Sequence, residues 1–239
     1  ESAGGASPKL LDRITVEGVA TPATSLDSPN GTGSRLGLSA RETPAMVEVL
    51  SQDQIQARGL RGSVEALNAA PGVLAGQLPS SPGMTSMRGF SGGAIALLVD
   101  GVRQTAAPLI TRDFDSWSFE RIEVLKGPAS VLYGEGALAG AINLVPKRPN
   151  FDGSAFSALA GWGSFGSQRY ALDANLPVGD DLALRAVVSR RSGDGYVDGT
   201  ASDATSATVA ARWKPSDTLD IDIALDHFED DYDTAYWGT

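Results

Sequence analysis

Residues Glu120–Pro149, ERIEVLKGPASVLYGEGALAGAINLVPKRP, decide the fold of the first half of the chain. Ile122 and Val124 fall on one face and Arg121 and Glu123 on the other, the two-residue period of a strand. Gly127-Pro128 ends that run as a turn. Gly134, Gly136 and Gly140 then permit tight backbone, and Ala141 to Val145 returns to β-type residues. The stretch therefore predicts a strand, a glycine-dense loop and a second strand.

Upstream, helix and strand signals alternate. Met46 to Leu50 reads as a strand, and Ser51-Gln52-Asp53-Gln54 offers a capping box for a short helix running to about Arg58. Gly59 suits the exit of that helix. Ser63 is expected to cap a second helix through Ala69, which Pro71-Gly72 ends. Ala94 to Val99 followed by Asp100-Gly101 is a hairpin signal, because both turn residues tolerate positive φ. These elements predict a mixed α+β domain over residues 41–150. Residues 1–40 are rich in Gly, Ser, Ala, Thr and Pro and predict a flexible lead, since they cannot bury enough apolar surface to offset ordering entropy. Within it, Asp12 to Gly18 (DRITVEG) has the β-branched alternation of a peptide able to add itself to another sheet's edge.

Downstream of Phe151 the texture becomes repeated alternation, and five strands can be tracked by parity. One face carries Phe156, Ala158, Ala160 and Trp162; then Tyr170, Leu172, Ala174 and Leu176; then Leu182, Leu184, Ala186 and Val188. Ala207, Val209, Ala211 and Trp213 follow, then Leu219, Ile221, Ile223 and Leu225. Polar residues hold most of the opposite face. Short connections (177–181 and 215–218) alternate with a long polar one (192–205), the asymmetry of an antiparallel transmembrane barrel with tight turns at one end. Gly163 to Ser167 is a short loop at the other end and fits less well. Trp162 and Tyr170 are placed near one rim and Trp213 near the other. Matching apolar faces across the short turns predicts Asp173 opposite Arg185 and Arg212 opposite Asp220, both on the lumen side. Five strands do not close a barrel, so residues 151–239 are expected to be the opening part of a larger one. A soluble β-sandwich is the alternative for such strands.

Composition limits the function. A formal charge of -10 and a pI near 4.5 argue against nucleic acid, whose phosphates need clustered Lys and Arg. There is no cysteine, hence no disulfide frame and no thiolate metal site. The longest apolar run, Ala94 to Val99, falls far short of the ~20 residues of a spanning helix, although a barrel would show no such run. Glu1 does not open a signal peptide, and the chain is expected to begin after processing or trimming.

The ordered passage Glu-Arg-Ile-Glu-Val, Leu-Lys-Gly-Pro, Leu-Tyr-Gly and Lys-Arg-Pro resembles the plug of TonB-dependent outer-membrane receptors, and Met87-Arg88-Gly89-Phe90 resembles another of their plug motifs. Arg41-Glu42-Thr43-Pro44, Pro71-Gly72-Val73 and Lys147-Arg148-Pro149 are more similar to the siderophore type than to vitamin receptors. The resemblance implies an α+β plug followed by an antiparallel transmembrane β-barrel of about 22 strands when complete. It implies the outer membrane of a Gram-negative bacterium, outer-membrane lipid around the wall, and a ferric siderophore as transported ligand with no covalently bound cofactor. Residues 12–18 resemble the TonB box, so Ile14, Thr15, Val16 and Glu17 would pair with TonB, the inner-membrane energy-coupling partner. Arg88 and Lys126 match plug cations that in the family meet carboxylates of the barrel wall. Ligand contacts are expected on the plug's outer loops, Gly76 to Gly83 with Gln77, and Leu109 to Trp117 with Arg112, Phe114 and Trp117. Other cargo (cobalamin, an oligosaccharide or another metal chelate), and a signalling receptor with a further N-terminal domain, are the alternatives within the family.

Three lookalikes are set against this. Gly134-Glu135-Gly136-Ala137-Leu138-Ala139 satisfies the dinucleotide fingerprint of an oxidoreductase, but that loop must join a strand directly to a long helix, and β-type residues follow here. His227, the single histidine, is expected at the rim of the fifth strand; with no second nitrogen ligand or serine elbow it predicts no catalysis. The acidic Glu229 to Asp233 could bind calcium, and a solvated loop is the preferred expectation.

Overall fold

A computed structural model describes residues 31–33, 39, 41–42, 45–78, 81–104, 112–134 and 136–233. The expected TonB box, 12–18, lies outside the described residues.

The decisive stretch forms β7 (Phe119–Lys126), a one-turn helix α3 (Ser130–Tyr133) and β8 (Gly140–Pro146). Antiparallel β7 and β8 lie at the centre of a mixed five-stranded sheet ordered β1-β7-β8-β5-β6, with β1 at Met46–Ser51, β5 at Ile95–Val99 and β6 at Val102–Arg103. Among the described residues only the β5–β8 pairing is parallel. Gly134 and Gly136 thus lead into a strand and not a helix, which excludes the dinucleotide loop. Ile122, Val124, Ile142 and Leu144 turn towards α1 (Gln52–Ala57) and α2 (Ser63–Asn68) and form the main core. Leu125, Ala141, Ala96 and Leu98 face the other way, under Ala129 and Ala137 of the glycine-dense loop. Gly140 is required where β8 starts: its φ is +153°, and a Cβ there would lie 2.1 Å from the Leu125 carbonyl oxygen.

Local signals explain most boundaries. Ser51 accepts from the Gln54 amide and the Gln54 side chain reaches back to Ser51, the expected capping box. Asp100 and Gly101, both at positive φ, close the β5–β6 hairpin. Arg88 and Gly89 do the same between β3 (Ser81–Met87) and β4 (Phe90–Ser91), which with β2 (Val73–Leu78) make a small separate sheet. The second helix departs from expectation. Ser63 is its first residue and the cap comes from far along the chain, where Asp113 Oδ1 accepts from the Val64 amide (2.9 Å) and the Ser63 hydroxyl (3.0 Å).

The later strands form one antiparallel meander, β9 (Ala155–Trp162), β10 (Gln168–Val178), β11 (Leu182–Gly193), β12 (Ser202–Ser216) and β13 (Leu219–Tyr232). Its apolar face looks outward: Phe156 is 71 % exposed, Val209 62 % and Leu225 76 %. The polar face is covered by the first domain, with Asn175 at 2 % and Asp173 at 7 %. A soluble sandwich would bury the opposite faces, so this inversion selects a lipid-facing wall. Trp162 stacks edge-on against Tyr170 at one end, and Trp213 lies beside Asp181 at the other, as girdle residues would.

Parity holds, but the expected register is two residues out in both hairpins. Asp173 sits opposite Val187 and Arg185 opposite Asn175; Arg212 sits opposite Asp222. The turns are tighter than expected because the strands continue through their prolines. Pro177 lies beyond the start of β9, where β10 has become an edge that needs no N–H donor on that side, and Pro215 falls within a bulge between Trp213 and Ser216. The ion pairs form diagonally instead: Arg185 Nε and Nη2 bind Asp173 at 2.9 and 2.8 Å, and Arg212 binds Asp220 at 3.0 and 2.7 Å. The long connection shrinks to residues 194–201, and Glu229 to Tyr232 is strand instead of loop. Its carboxylates alternate between faces, so only Asp230 turns inward, towards Arg112. His227 lies on the outward face five residues before the strand ends, short of the expected rim.

Candidate functional site at the seam between plug and wall

The segment 112–118 runs along the wall and ties itself to four strands, one of them through Ser118, whose hydroxyl lies 2.8 Å from that of Ser206 on β12. Arg112 Nη1 meets Asp230 on β13 at 3.5 Å, and its guanidinium lies 5.1 Å from the Phe228 ring centre. Asp113 Oδ2 binds Arg191 on β11 at 2.9 Å while its other oxygen caps α2. Asp115 caps a 3-10 turn at Trp117 N (2.8 Å) and receives Arg169 of β10 (3.1 Å from Nε). Gly62 has no side chain because one there would occupy the space of Asp113 and Arg191. Replacing Asp113 with Ala removes both the cap and the counter-charge of Arg191. We expect a loss of roughly 1–3 kcal/mol, read as a lower thermal midpoint of the full receptor. Asp203→Ala, which breaks only the exposed Arg190 pair, should leave that midpoint unchanged.

A second, drier cluster sits where the plug passes into the wall. Lys147 Nζ is 2.8 Å from Asp173 Oδ2 and lies over the Trp117 ring at 4.4 Å; Arg185 binds the same carboxylate and donates to the Arg148 carbonyl at 2.9 Å. Burial pushes the Lys147 ammonium below the ordinary lysine value, opposed by its bond to Asp173. Just beyond, the Asn175 amide accepts from Asn150 N (3.0 Å) and donates to the carbonyls of Asn150 (3.1 Å) and Gly153 (2.9 Å), fixing the crossover.

The expected site residues separate into groups. Arg112 and Phe114 border a cavity of about 100 Å3 together with Met84, Thr85, Arg103 and Gln104. That is smaller than the ~300–1,000 Å3 of ordinary ligand sites, so the cavity by itself does not enclose a ligand of that size. Gln77 falls within β2, and its side chain lies outside the described residues. Trp117 is 4 % exposed and packs on Ala171 and Val187 of the wall, so it belongs to the seam and not to an outer ligand face. Lys126 pairs with Glu48 of β1, and Arg88, at its hairpin tip, reaches Met46 Sδ at 3.1 Å. Sequence reasoning missed Asp113, Asp115, Lys147 and Arg191, although Arg191 shares the lumen-facing parity that singled out Asp173 and could have been found by it.

An α+β stopper held by salt bridges against the polar side of an outwardly greasy antiparallel wall defines a plugged outer-membrane β-barrel. Residues 39–141 match the family model described as the TonB-dependent Receptor Plug Domain. Residues 39–141 are therefore a plug domain of the TonB-dependent receptor kind, followed by the opening strands of a wall whose place is the outer membrane of a Gram-negative bacterium. The chain is 26 % identical to the ferrioxamine B receptor of Salmonella typhimurium over 92 % of its own length and 32 % of that protein's. To the catecholate siderophore receptor Fiu of Escherichia coli it is 33 % identical over 60 % of its own length and 19 % of that protein's. Among solved structures, the pyoverdine receptor FpvA of Pseudomonas aeruginosa shares the fold with a TM-score of 0.78 at 24 % identity, covering 87 % of this chain and 31 % of that one. Fiu superimposes with a TM-score of 0.68 at 26 % identity, over 80 % and 28 % of the two chains. The chain spans about a third or less of the relatives it matches.

Proposed function

We propose that the intact receptor takes up a ferric siderophore across the outer membrane, drawing its energy from TonB, with no chemistry performed on the cargo. The observation that carries this is the stopper seated against the lumen side of a lipid-facing wall: passage requires the plug to move, and nothing in the outer membrane itself supplies the work. The names of the relatives, receptors for ferrioxamine and for catecholate siderophores, favour an iron chelate over cobalamin or an oligosaccharide. In this reading Arg112 and Phe114, with Gln77, contact the chelate, Arg88 faces a carboxylate elsewhere in the wall, and Lys126 does so while it also holds Glu48 of the plug.

A strain lacking the receptor and grown on a panel of ferric chelates tests the reading. Loss of growth on one chelate, restored by the receptor gene, is the expected result; normal growth on every chelate beside failure on another nutrient would transfer the reading to that nutrient. Ile14 to Glu17 are assigned to TonB by strand addition, in which main-chain hydrogen bonds supply the affinity. Proline at Val16 removes one donor and fixes φ. Uptake should fall to the level of a TonB-deficient strain while chelate binding at the cell surface is unchanged; uptake that survives would place the box elsewhere.

A further inference from the structure

Glu123 is fully buried on the central strand of the plug, yet the transport reading gives it no task. Parity puts it on the sheet face that carries Leu125 and Ala141, where an isolated carboxylate would be costly. Its charge is instead spent on the N-terminal segment. Oε2 accepts from the Gly31 amide (3.0 Å), the Thr32 amide (2.8 Å) and the Thr32 hydroxyl (2.5 Å), while Oε1 accepts from Arg121 Nε (2.7 Å). Two successive amides and a hydroxyl converging on one oxygen form an anion nest, filled here by the protein's own side chain. From the other side, the Tyr133 hydroxyl at the end of α3 donates to the Thr32 carbonyl at 2.7 Å. Thr32 is fully buried between the two.

We propose that Glu123 and Tyr133 form a clasp that holds the N-terminal arm on the plug core and governs how readily the arm is released to an energy-coupling partner. The functional half of this inference rests on the TonB reading above; the clasp itself does not. Gly31 and Thr32 lie between the segment 12–18 and the first plug strand, so tension on that segment reaches the clasp before it reaches β1. The load then passes to β7 through Glu123 and to the glycine-dense loop through Tyr133. Breaking the clasp uncovers a charged carboxylate next to Arg121, which water can solvate. The released state is thus hydrated and reversible, and the sheet need not unravel to reach it.

Glu123→Gln tests the clasp with little change of shape. Whichever way the amide is turned, its NH2 faces a donor, either Arg121 or the arm. Tyr133→Phe removes one hydroxyl from a partly exposed site and leaves β7 untouched. Amide hydrogen exchange on the full-length receptor should show the peptide containing Gly31 and Thr32 exchanging at least ~10-fold faster in Glu123→Gln, and faster by a smaller factor in Tyr133→Phe. Exchange across Gly140–Pro146 should not change. Unchanged exchange at 31–32 in both variants, or acceleration spread over β7 and β8, would overturn the clasp. A pull-down on the purified TonB C-terminal domain without chelate should recover more of each variant than of wild type; equal recovery despite a loosened arm would overturn the gating role. Failure of wild type to bind TonB at all would instead overturn the transport reading, leaving the exchange result standing.

Discussion

Asp173→Leu should be the most damaging single substitution of a charged group in the seam. It leaves the Lys147 ammonium and the Arg185 guanidinium in a dry interface without their shared counter-charge. Removing one member of such a buried set costs about 3–5 kcal/mol, whereas replacing the whole set by apolar residues of similar volume is often neutral. The single variant should therefore melt well below wild type, and the triple variant Lys147→Met, Asp173→Leu, Arg185→Met should recover most of the difference. Asp220→Ala, which breaks the more exposed Arg212 pair, should leave the midpoint close to that of wild type. A single-variant cost below about 1 kcal/mol would mean that water reaches the cluster, and the seam would not be dry.

Gly140→Ala is expected to unseat the plug. A methyl group there would stand 2.1 Å from the Leu125 carbonyl oxygen and 2.7 Å from Met87 Sδ, at a backbone angle that side chains avoid. Backbone strain and overpacking each cost about 1–3 kcal/mol and act together here. Since β8 is buried along its whole length between β7 and β5, the error cannot be absorbed at an edge. Cells carrying the variant should become sensitive to a large hydrophilic antibiotic that an intact plug excludes, and the plug should become open to trypsin. Gly93→Ala, at an exposed position with open space, should do neither. Wild-type resistance in the Gly140 variant would show that β8 can shift to accommodate the methyl group.

Much of this architecture was legible because membrane walls and sheet cores write simple periods. Alternation identified every wall strand and its lipid face, since lipid tolerates one polarity and the plug side the other. The Ser51 box was legible because donor and acceptor lie three residues apart. What could not be read came from distant partners. Ser63 has the chemistry of a cap, but a carboxylate from Asp113, fifty residues away, fills that place. Glu123 alternates like a solvent-facing residue, yet the chain returns over it from residues 31 and 32. The hairpin registers slipped by two because Pro177 and Pro215 look like strand breakers. Each is tolerated where its missing donor is not needed, a fact that depends on the neighbouring strand. Among the proposed ligand residues, Trp117 shows the same lesson: an aromatic side chain in a loop between charged residues can face inward as easily as outward.

The crossover secured by Asn175 has a mechanical consequence. Its four bonds to Asn150 and Gly153, together with the grip of Arg185 on the Arg148 carbonyl, make the C-terminal end of the stopper a fixed hinge post. Traction arriving from the opposite terminus loads the bonds one after another and meets this post last. In the proposed transport cycle such a gate would peel open from its free side and stay moored when the pull ends, so that it could return to the same seat for the next molecule.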